Sequence, residues 1–227
     1  MALDAFCASF QSRVPMHQDL YRPVKRILDR IVAAMFLIVS LPVWVVAISA
    51  VVLDARLCFG DRGPVFYRER RISRGREFDL LKLRTLRRDA LATQAAGEAH
   101  ARALEADPAN LTWAGRHVLK PWYLDELPQL LHVLRGELSL VGPRPWPPSM
   151  VREQIARGLD YRNHVLAGWT GPAQISKDAP EPFTDAKLDL EYVEALRTWS
   201  SLRLLRHDLA VLVATAKVLA RGEGLRY

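Results

Sequence analysis

The chain has 227 residues, enough for one domain with a sizeable core, and its 32 Lys and Arg against 25 Asp and Glu give a net charge of +7. That balance predicts an anionic partner, such as a phosphorylated substrate or a membrane surface; the lack of zinc-finger spacing and of an aromatic-rich RNA-binding signature argues against nucleic acid. Two cysteines, Cys7 and Cys58, cannot build a disulfide framework, and the histidines never fall at metal-ligand spacing, which argues against a zinc site.

Residues 1–20 mix Asp4, Arg13 and Asp19 with apolar residues and lack the basic start and long apolar core of a cleavable signal peptide. Ile31 to Leu53 then carries no charge. As a straight helix of about 23 residues it would be about 35 Å long, enough for a ~30 Å hydrocarbon core. Pro42 lies near its middle, where it removes a backbone hydrogen bond and clashes with the preceding turn; Ser40 can bond back to a carbonyl and ease the break. Arg22, Lys25, Arg26 and Arg30 precede the run, and Arg56, Arg62, Arg68, Arg70 and Arg71 follow it. Lys and Arg mark the cytoplasmic side, and here both ends are marked. A helix that bends at Pro42 and returns to the same face satisfies these features, and a proline-kinked spanning helix is the alternative they leave open.

Past Phe59-Gly60, Gly63 to Arg68 reads as a turn and short strand and Glu77 to Leu83 as another, joined across Ser73-Arg74-Gly75 into a small hairpin. Lys82-Leu83-Arg84-Thr85 places a basic cluster at the end of the second strand, as a solvated surface or an anion grip. Arg88 to Ala106 is Ala-rich and polar, and predicts an exposed helix without chemistry.

Pro121 breaks what precedes it, and Leu124, Leu127, Leu130, Leu131 and Leu134 make one apolar face at helical spacing. A helix starting near Asp125 puts that residue at or beside the N-cap, Glu126 in the first turn, and Pro128 where a missing N–H costs nothing. Acids at a helix start are common as caps. The same geometry suits chemistry: free N–H groups attract phosphate, an ionised carboxylate can attack phosphorus, and its neighbour can bind Mg²⁺. On spacing alone the cap reading leads. Next, Pro143-Arg144-Pro145 locks the backbone around one guanidinium, as befits a phosphate ligand or a rigid turn.

With these pieces in order, the chain resembles the bacterial sugar transferases, the polyprenyl-phosphate phosphoglycosyl transferases of the monotopic class. The matching residues are Lys25-Arg26 with Asp29; Gly63-Pro64-Val65-Phe66; Lys82-Leu83-Arg84-Thr85; Leu124 to Leu130; Ser139 to Pro145; Tyr161-Arg162 with Val165; Gly171 with Ala173-Gln174; and Asp189 with Tyr192. The resemblance implies transfer of a sugar 1-phosphate from a UDP-sugar to undecaprenyl phosphate, with release of UMP, as the first membrane step of a surface glycan. It implies a covalent phosphosugar on Asp125 and Mg²⁺ on Glu126. Arg144, Lys120, Lys82, Arg84 and Arg162 would hold substrate phosphate, and Pro143, Pro145 and Gln174 would line the substrate pocket. Lys120 stands where the family usually has Arg, Tyr123 where it has Ser, and His132 where it has Asn. The usual Pro-Gly-Ile-Thr-Gly-Trp-Ala-Gln reads Ala167-Gly168-Trp169-Thr170-Gly171-Pro172-Ala173-Gln174, which bears on selectivity for the sugar nucleotide.

The expected architecture is mainly α with a small β-hairpin. It comprises an N-terminal segment (1–23), a re-entrant membrane helix bent at Ser40 and Pro42 (24–56), and a catalytic region on the cytoplasmic face of the bacterial inner membrane (57–227). Leu202 to Ala220, with Arg203, Arg206, Lys217 and Arg221, suits a helix lying among membrane lipids at the interface, or equally a core helix. Direct displacement without a covalent intermediate and a non-catalytic adaptor for glycan assembly are the rival readings; a homo-oligomer is compatible with all of them.

Overall fold

The computed structural model describes residues 23–57, 61–96, 101–176 and 182–220. The predicted N-terminal segment apart from Pro23, Phe59-Gly60, both cysteines, and Arg22 and Arg221 of the basic flanks lie outside them. The described part is mostly helical with a small antiparallel hairpin, as expected.

The apolar run folds as two helices, α1 (Pro23–Val39) and α2 (Leu41–Leu57), inclined to one another by 63°. The break falls at Ser40, one of the two residues expected at the bend. Pro42 sits in the first turn of α2, where its missing N–H is harmless. The backbone bonds Ser40 N to Phe36 O and Trp44 N to Ser40 O (both 2.9 Å) continue on either side, and Ser40 Oγ donates to Leu37 O at 3.2 Å. Among the described residues no single helix is long and apolar enough to cross a membrane; the bent pair together has that length and composition. Its outer surface is a run of exposed apolar side chains, including Ile38, Val39, Leu41 and Val45.

Both legs of the pair are pinned by buried charge. On α1, Lys25 Nζ lies 2.6 Å from Asp208 and 3.4 Å from Asp29, whose other oxygen accepts from Ser139 Oγ at 2.6 Å. On α2, Asp54 accepts the backbone N–H of Ala114 at 2.9 Å. A charge this deep is tolerated only when it is paired and hydrogen-bonded.

Strands β1 (Phe66–Ser73) and β2 (Arg76–Leu83) form the predicted hairpin in register Phe66↔Leu83 to Ser73↔Arg76. Arg74 and Gly75 both have positive φ (50° and 69°), which matches a two-residue turn to the twist of the strands. Alternation turns Tyr67, Glu69, Leu80 and Lys82 to the buried face. The single helix expected over Arg88 to Ala106 is two short ones, α3 (Arg88–Ala95) and α4 (Ala101–Glu105).

After the central turns come α5 (Gln129–Arg135), β3 (Ser139–Val141), α6 (Pro148–Ala156), β4 (Gly168–Thr170), α7 (Pro172–Ile175), α8 (Pro182–Thr198) and α9 (Ser201–Ala220). β3 and β4 pair in parallel, a contact the sequence reading did not anticipate. Gly168 permits it, because a Cβ there would collide with the backbone of Gly142. The main core gathers Leu130, Val133, Leu140, Leu190, Val193 and Leu204 from α5, β3, α8 and α9. α9 is two-faced: Leu204, Asp208, Val211 and Thr215 are buried, whereas Leu202, Leu205, Leu209 and Val213 are exposed. It is therefore a core helix on one side and an apolar surface on the other.

Candidate active site

The chain reaches the carboxylate pair through tight turns. Gly115–Leu119 is a π-helical turn, Lys120–Trp122 a 3₁₀ turn, Tyr123 is left-handed (φ 54°), and Leu124–Glu126 is a second 3₁₀ turn. Bonds from Glu126 N to Tyr123 O (3.2 Å) and Leu127 N to Leu124 O (3.3 Å) close it. Pro128, with no N–H to donate, separates this turn from the α-helical ladder and is itself the N-cap of α5. Asp125 is thus not the helix cap that spacing suggested: it makes no capping bond and sits one turn earlier. Asp125 is fully buried, and Glu126 is 2% exposed.

Burying two adjacent carboxylates demands compensation, and three cations supply it. Lys120 Nζ bridges Asp125 Oδ2 (2.9 Å) and Glu105 Oε2 (2.7 Å). Arg144 Nη2 donates to Glu126 Oε1 at 2.9 Å. Lys82 Nζ, brought in by β2, lies 3.8 Å from Glu126 and 3.4 Å from Glu69, which Arg71 also grips. Thr85 Oγ1 donates to Glu105 Oε1 at 2.8 Å, and Tyr67 OH stands 3.1 Å from Glu69 and 3.4 Å from Glu105. Four carboxylates therefore alternate with Arg71, Lys82, Lys120 and Arg144. One acceptor is left over: Asp125 Oδ1 is buried without a hydrogen-bond partner among the described residues.

The environment splits the pair. Burial pushes the Asp125 carboxyl above the usual aspartate range, and Lys120 only partly offsets it while Glu126 adds to it. Burial also opposes ionisation of Glu126, but Arg144, Lys82 and Lys120 together outweigh it and hold that carboxyl below its ordinary value. Glu69, despite its burial, is lowered to about 2 by Lys82 and Arg71. Burial likewise disfavours the charge on Lys120, yet Asp125 and Glu105 raise it above the normal lysine range.

Of the expected phosphate ligands, Lys82, Lys120 and Arg144 surround the pair. Arg84 and Arg162 are engaged elsewhere. Arg84 is buried beneath Gly63 and donates to Asp61 O at 3.1 Å. Arg162 lies behind Arg144: it donates to the Arg144 carbonyl, to Asp189 (2.8 Å) and to Gln154 (2.9 Å), and stacks 4.1 Å from the Trp146 ring. Pro145 and Gln174 line a small cleft beside Arg144, whereas the Pro143 carbonyl accepts Gly168 N at 2.8 Å and joins the loop to β4. His132 Nε2 accepts the Leu81 N–H (3.0 Å) while Nδ1 faces Glu137 (2.5 Å), fixing β2 against α5.

Sequence reasoning missed Glu69, Tyr67 and Glu105. A signal existed for the first two: Lys82 lies among Leu80, Leu81 and Leu83 at the end of its strand, where a buried lysine demands a counter-charge, and the hairpin register supplies it. Glu105, in the segment expected to be chemically silent, carried none. Among the described residues no group of three or more His, Cys, Asp or Glu side chains is arranged to hold a metal.

The chain is 33% identical to the undecaprenyl-phosphate galactose phosphotransferase of Salmonella typhimurium over 89% of its own length and 42% of that protein's. It is 32% identical to the UDP-glucose:undecaprenyl-phosphate glucose-1-phosphate transferase of Caulobacter vibrioides, over 84% of this chain and 70% of the relative. It is also 32% identical to the exopolysaccharide production protein ExoY of Sinorhizobium fredii, over 92% and 93%. The chain thus spans less than half of the Salmonella relative and nearly all of the Sinorhizobium one. A family described as bacterial sugar transferase matches residues 20–222, from the start of α1 past the end of α9. The chain belongs to the bacterial sugar transferase family.

Proposed function

We propose that this protein moves a sugar 1-phosphate from a UDP-sugar to undecaprenyl phosphate, giving undecaprenyl-diphosphate-sugar and UMP, through a covalent intermediate on Asp125. The observation that carries this reading is the unpartnered Asp125 Oδ1: a buried carboxylate held through Oδ2 by Lys120, with its other oxygen free of any described donor. An atom so placed is either a costly defect or a nucleophile awaiting its electrophile. The names of the Salmonella and Caulobacter relatives support a lipid-phosphate acceptor.

In the first step Asp125 Oδ1 attacks the sugar-bearing phosphorus. A P–O bond to the carboxylate forms, and the P–O bond to UMP breaks as that phosphate leaves. In the second, an oxygen of undecaprenyl phosphate attacks the same phosphorus and the acyl phosphate bond breaks, returning Asp125 to its carboxylate. Lys82, Lys120 and Arg144 stabilise charge on the phosphoryl oxygens. Lys120 and Arg144, whose side chains are the more exposed members of the cluster, meet an incoming phosphate first.

Glu126, whose carboxyl is held ionised beside Asp125, fits Mg²⁺, which takes oxygen ligands and needs only one or two carboxylates when substrate phosphates complete its shell. When bound, the ion neutralises diphosphate charge. The four named cations already balance the four carboxylates, so the added charge of a diphosphate favours one more cation.

The apolar surface of the bent α1–α2 pair supports a re-entrant anchor in the inner membrane, with the site on the cytoplasmic face, where the basic flanks meet anionic headgroups. The test is UMP release by the full-length protein from a panel of UDP-sugars. Release should require undecaprenyl phosphate for sustained turnover and fall roughly a thousandfold or more in Asp125→Asn, as expected when a nucleophile is removed. Normal turnover by that variant would sink the reading.

A further inference from the structure

The cleft beside Arg144 is lined by Arg71, Lys82, Gln129, Trp169 and Gln174 among others. Gln174 is 4% exposed, and neither its amide nitrogen nor its amide oxygen has a partner among the described residues. The buried indole N–H of Trp169 is also unpartnered. Buried polar groups are almost always satisfied, so three orphaned atoms on one cleft indicate partners brought by a ligand. Both residues are firmly held: Trp169 lies in β4 and packs on Phe36 of α1 with ring centroids 6.2 Å apart, and Gln174 N donates to Gly171 O at 3.1 Å.

Resting on the transfer reading above, we infer that Trp169 and Gln174 recognise hydroxyl groups of the donor's sugar. The chemistry selects the ligand. An amide offers both a donor and an acceptor, so its partner must do the same, as a hydroxyl does and a phosphate dianion does not. The cationic wall of Arg71, Lys82 and Arg144 holds phosphate at one side of the cleft, and the sugar is the group attached to that phosphate. Trp169 also stands where the resembled pattern has Ile, so the indole donor is a feature of this chain.

The test uses the full-length protein and the UDP-sugar that the wild type prefers, together with its epimers and deoxy analogues. Trp169→Phe keeps a ring but removes the donor; Gln174→Leu keeps the volume but removes the amide. Each should raise KM for the preferred donor about tenfold and shrink its preference over the hydroxyl-altered donors by a similar factor, the scale of one lost neutral hydrogen bond. Inhibition by UDP, which lacks the sugar, should be unchanged in both. Either variant keeping the full wild-type preference would overturn the inference, as would an equal weakening of UDP inhibition, which would assign the cleft to the nucleotide. The two substitutions lie on different elements, so a folding failure in one, read from its melting temperature, leaves the other decisive. Wild-type protein inactive with every UDP-sugar is a separate outcome: it removes the transfer reading, and this one with it.

Discussion

At the residue scale the site depends on Lys120, a single ammonium serving two buried carboxylates. An ammonium has three donors on a flexible stem and can divide them between Glu105 and Asp125, where a planar guanidinium would favour one bidentate partner. Lys120→Met removes the ammonium that both acids share and should cost about 3–5 kcal/mol in denaturant unfolding, the range for breaking a buried pair. A loss below about 1 kcal/mol would mean that the bridge is not maintained. The Asp125 carboxyl lies above the ordinary aspartate range and must be ionised to attack. The rate of UMP release should therefore fall as pH drops through an apparent value above that range, and the acid limb should move to higher pH in Lys120→Met, which removes a charge favouring ionisation.

Glu69 makes the opposite prediction for stability. Its carboxyl ionises at about 2 in the folded protein against an ordinary 4.5. The unfolded chain takes up the proton near 4.5 while the folded one keeps its charge to about 2, so the contribution is complete above 4.5 and is lost as pH falls between those values. Unfolding free energy followed over that window should decline in the wild type and decline less in Glu69→Gln; parallel curves would contradict the assignment. Asp125, Glu126 and Arg144 were legible because their motifs are local. Glu69 and Glu105 were not, because each acts through a partner distant in the chain.

At the scale of elements, the hairpin was legible from its two short strands and the polar turn between them. The position of Asp125 was not. Helical spacing of the leucines extended the helix back to the acids, but a left-handed Tyr123 and a proline N-cap replaced its first turn with a 3₁₀ one. The break in the apolar run was better marked: Ser40 and Pro42 announced it, and the chain bends at Ser40, whose side chain bonds back to Leu37 O. The re-entrant reading has a direct check. With Cys7 and Cys58 replaced by serine, single cysteines placed before Ile31 and after Leu53 should react with an impermeant thiol reagent from the same side of the membrane. Labelling from opposite sides would make the pair a kinked span.

For the whole molecule, the position of the carboxylate pair relative to the exposed apolar surface follows from how the bent pair is fastened. Lys25 and Asp29 on α1 join Asp208 on α9 and Ser139 on β3, and Tyr192 of α8 donates within the same group, 3.0 Å from Val141 O and 2.9 Å from Asp208. Asp54 on α2 holds the turn that leads to Lys120. The apolar helices and the carboxylates are thus parts of one rigid frame, and the exposed stripe of α9 extends the apolar surface. The parallel β3–β4 pairing and this network join segments far apart in sequence, which periodicity cannot reveal.

The proposed mechanism requires that Asp125 take the phosphosugar from the donor covalently. Mass spectrometry of the protein incubated with its UDP-sugar and Mg²⁺, without undecaprenyl phosphate, measures it directly. A phosphosugar adduct is expected on the peptide containing Asp125, labile to hydroxylamine, discharged by undecaprenyl phosphate and absent from Asp125→Asn. Turnover to undecaprenyl-diphosphate-sugar with no adduct on that peptide at any time would contradict it.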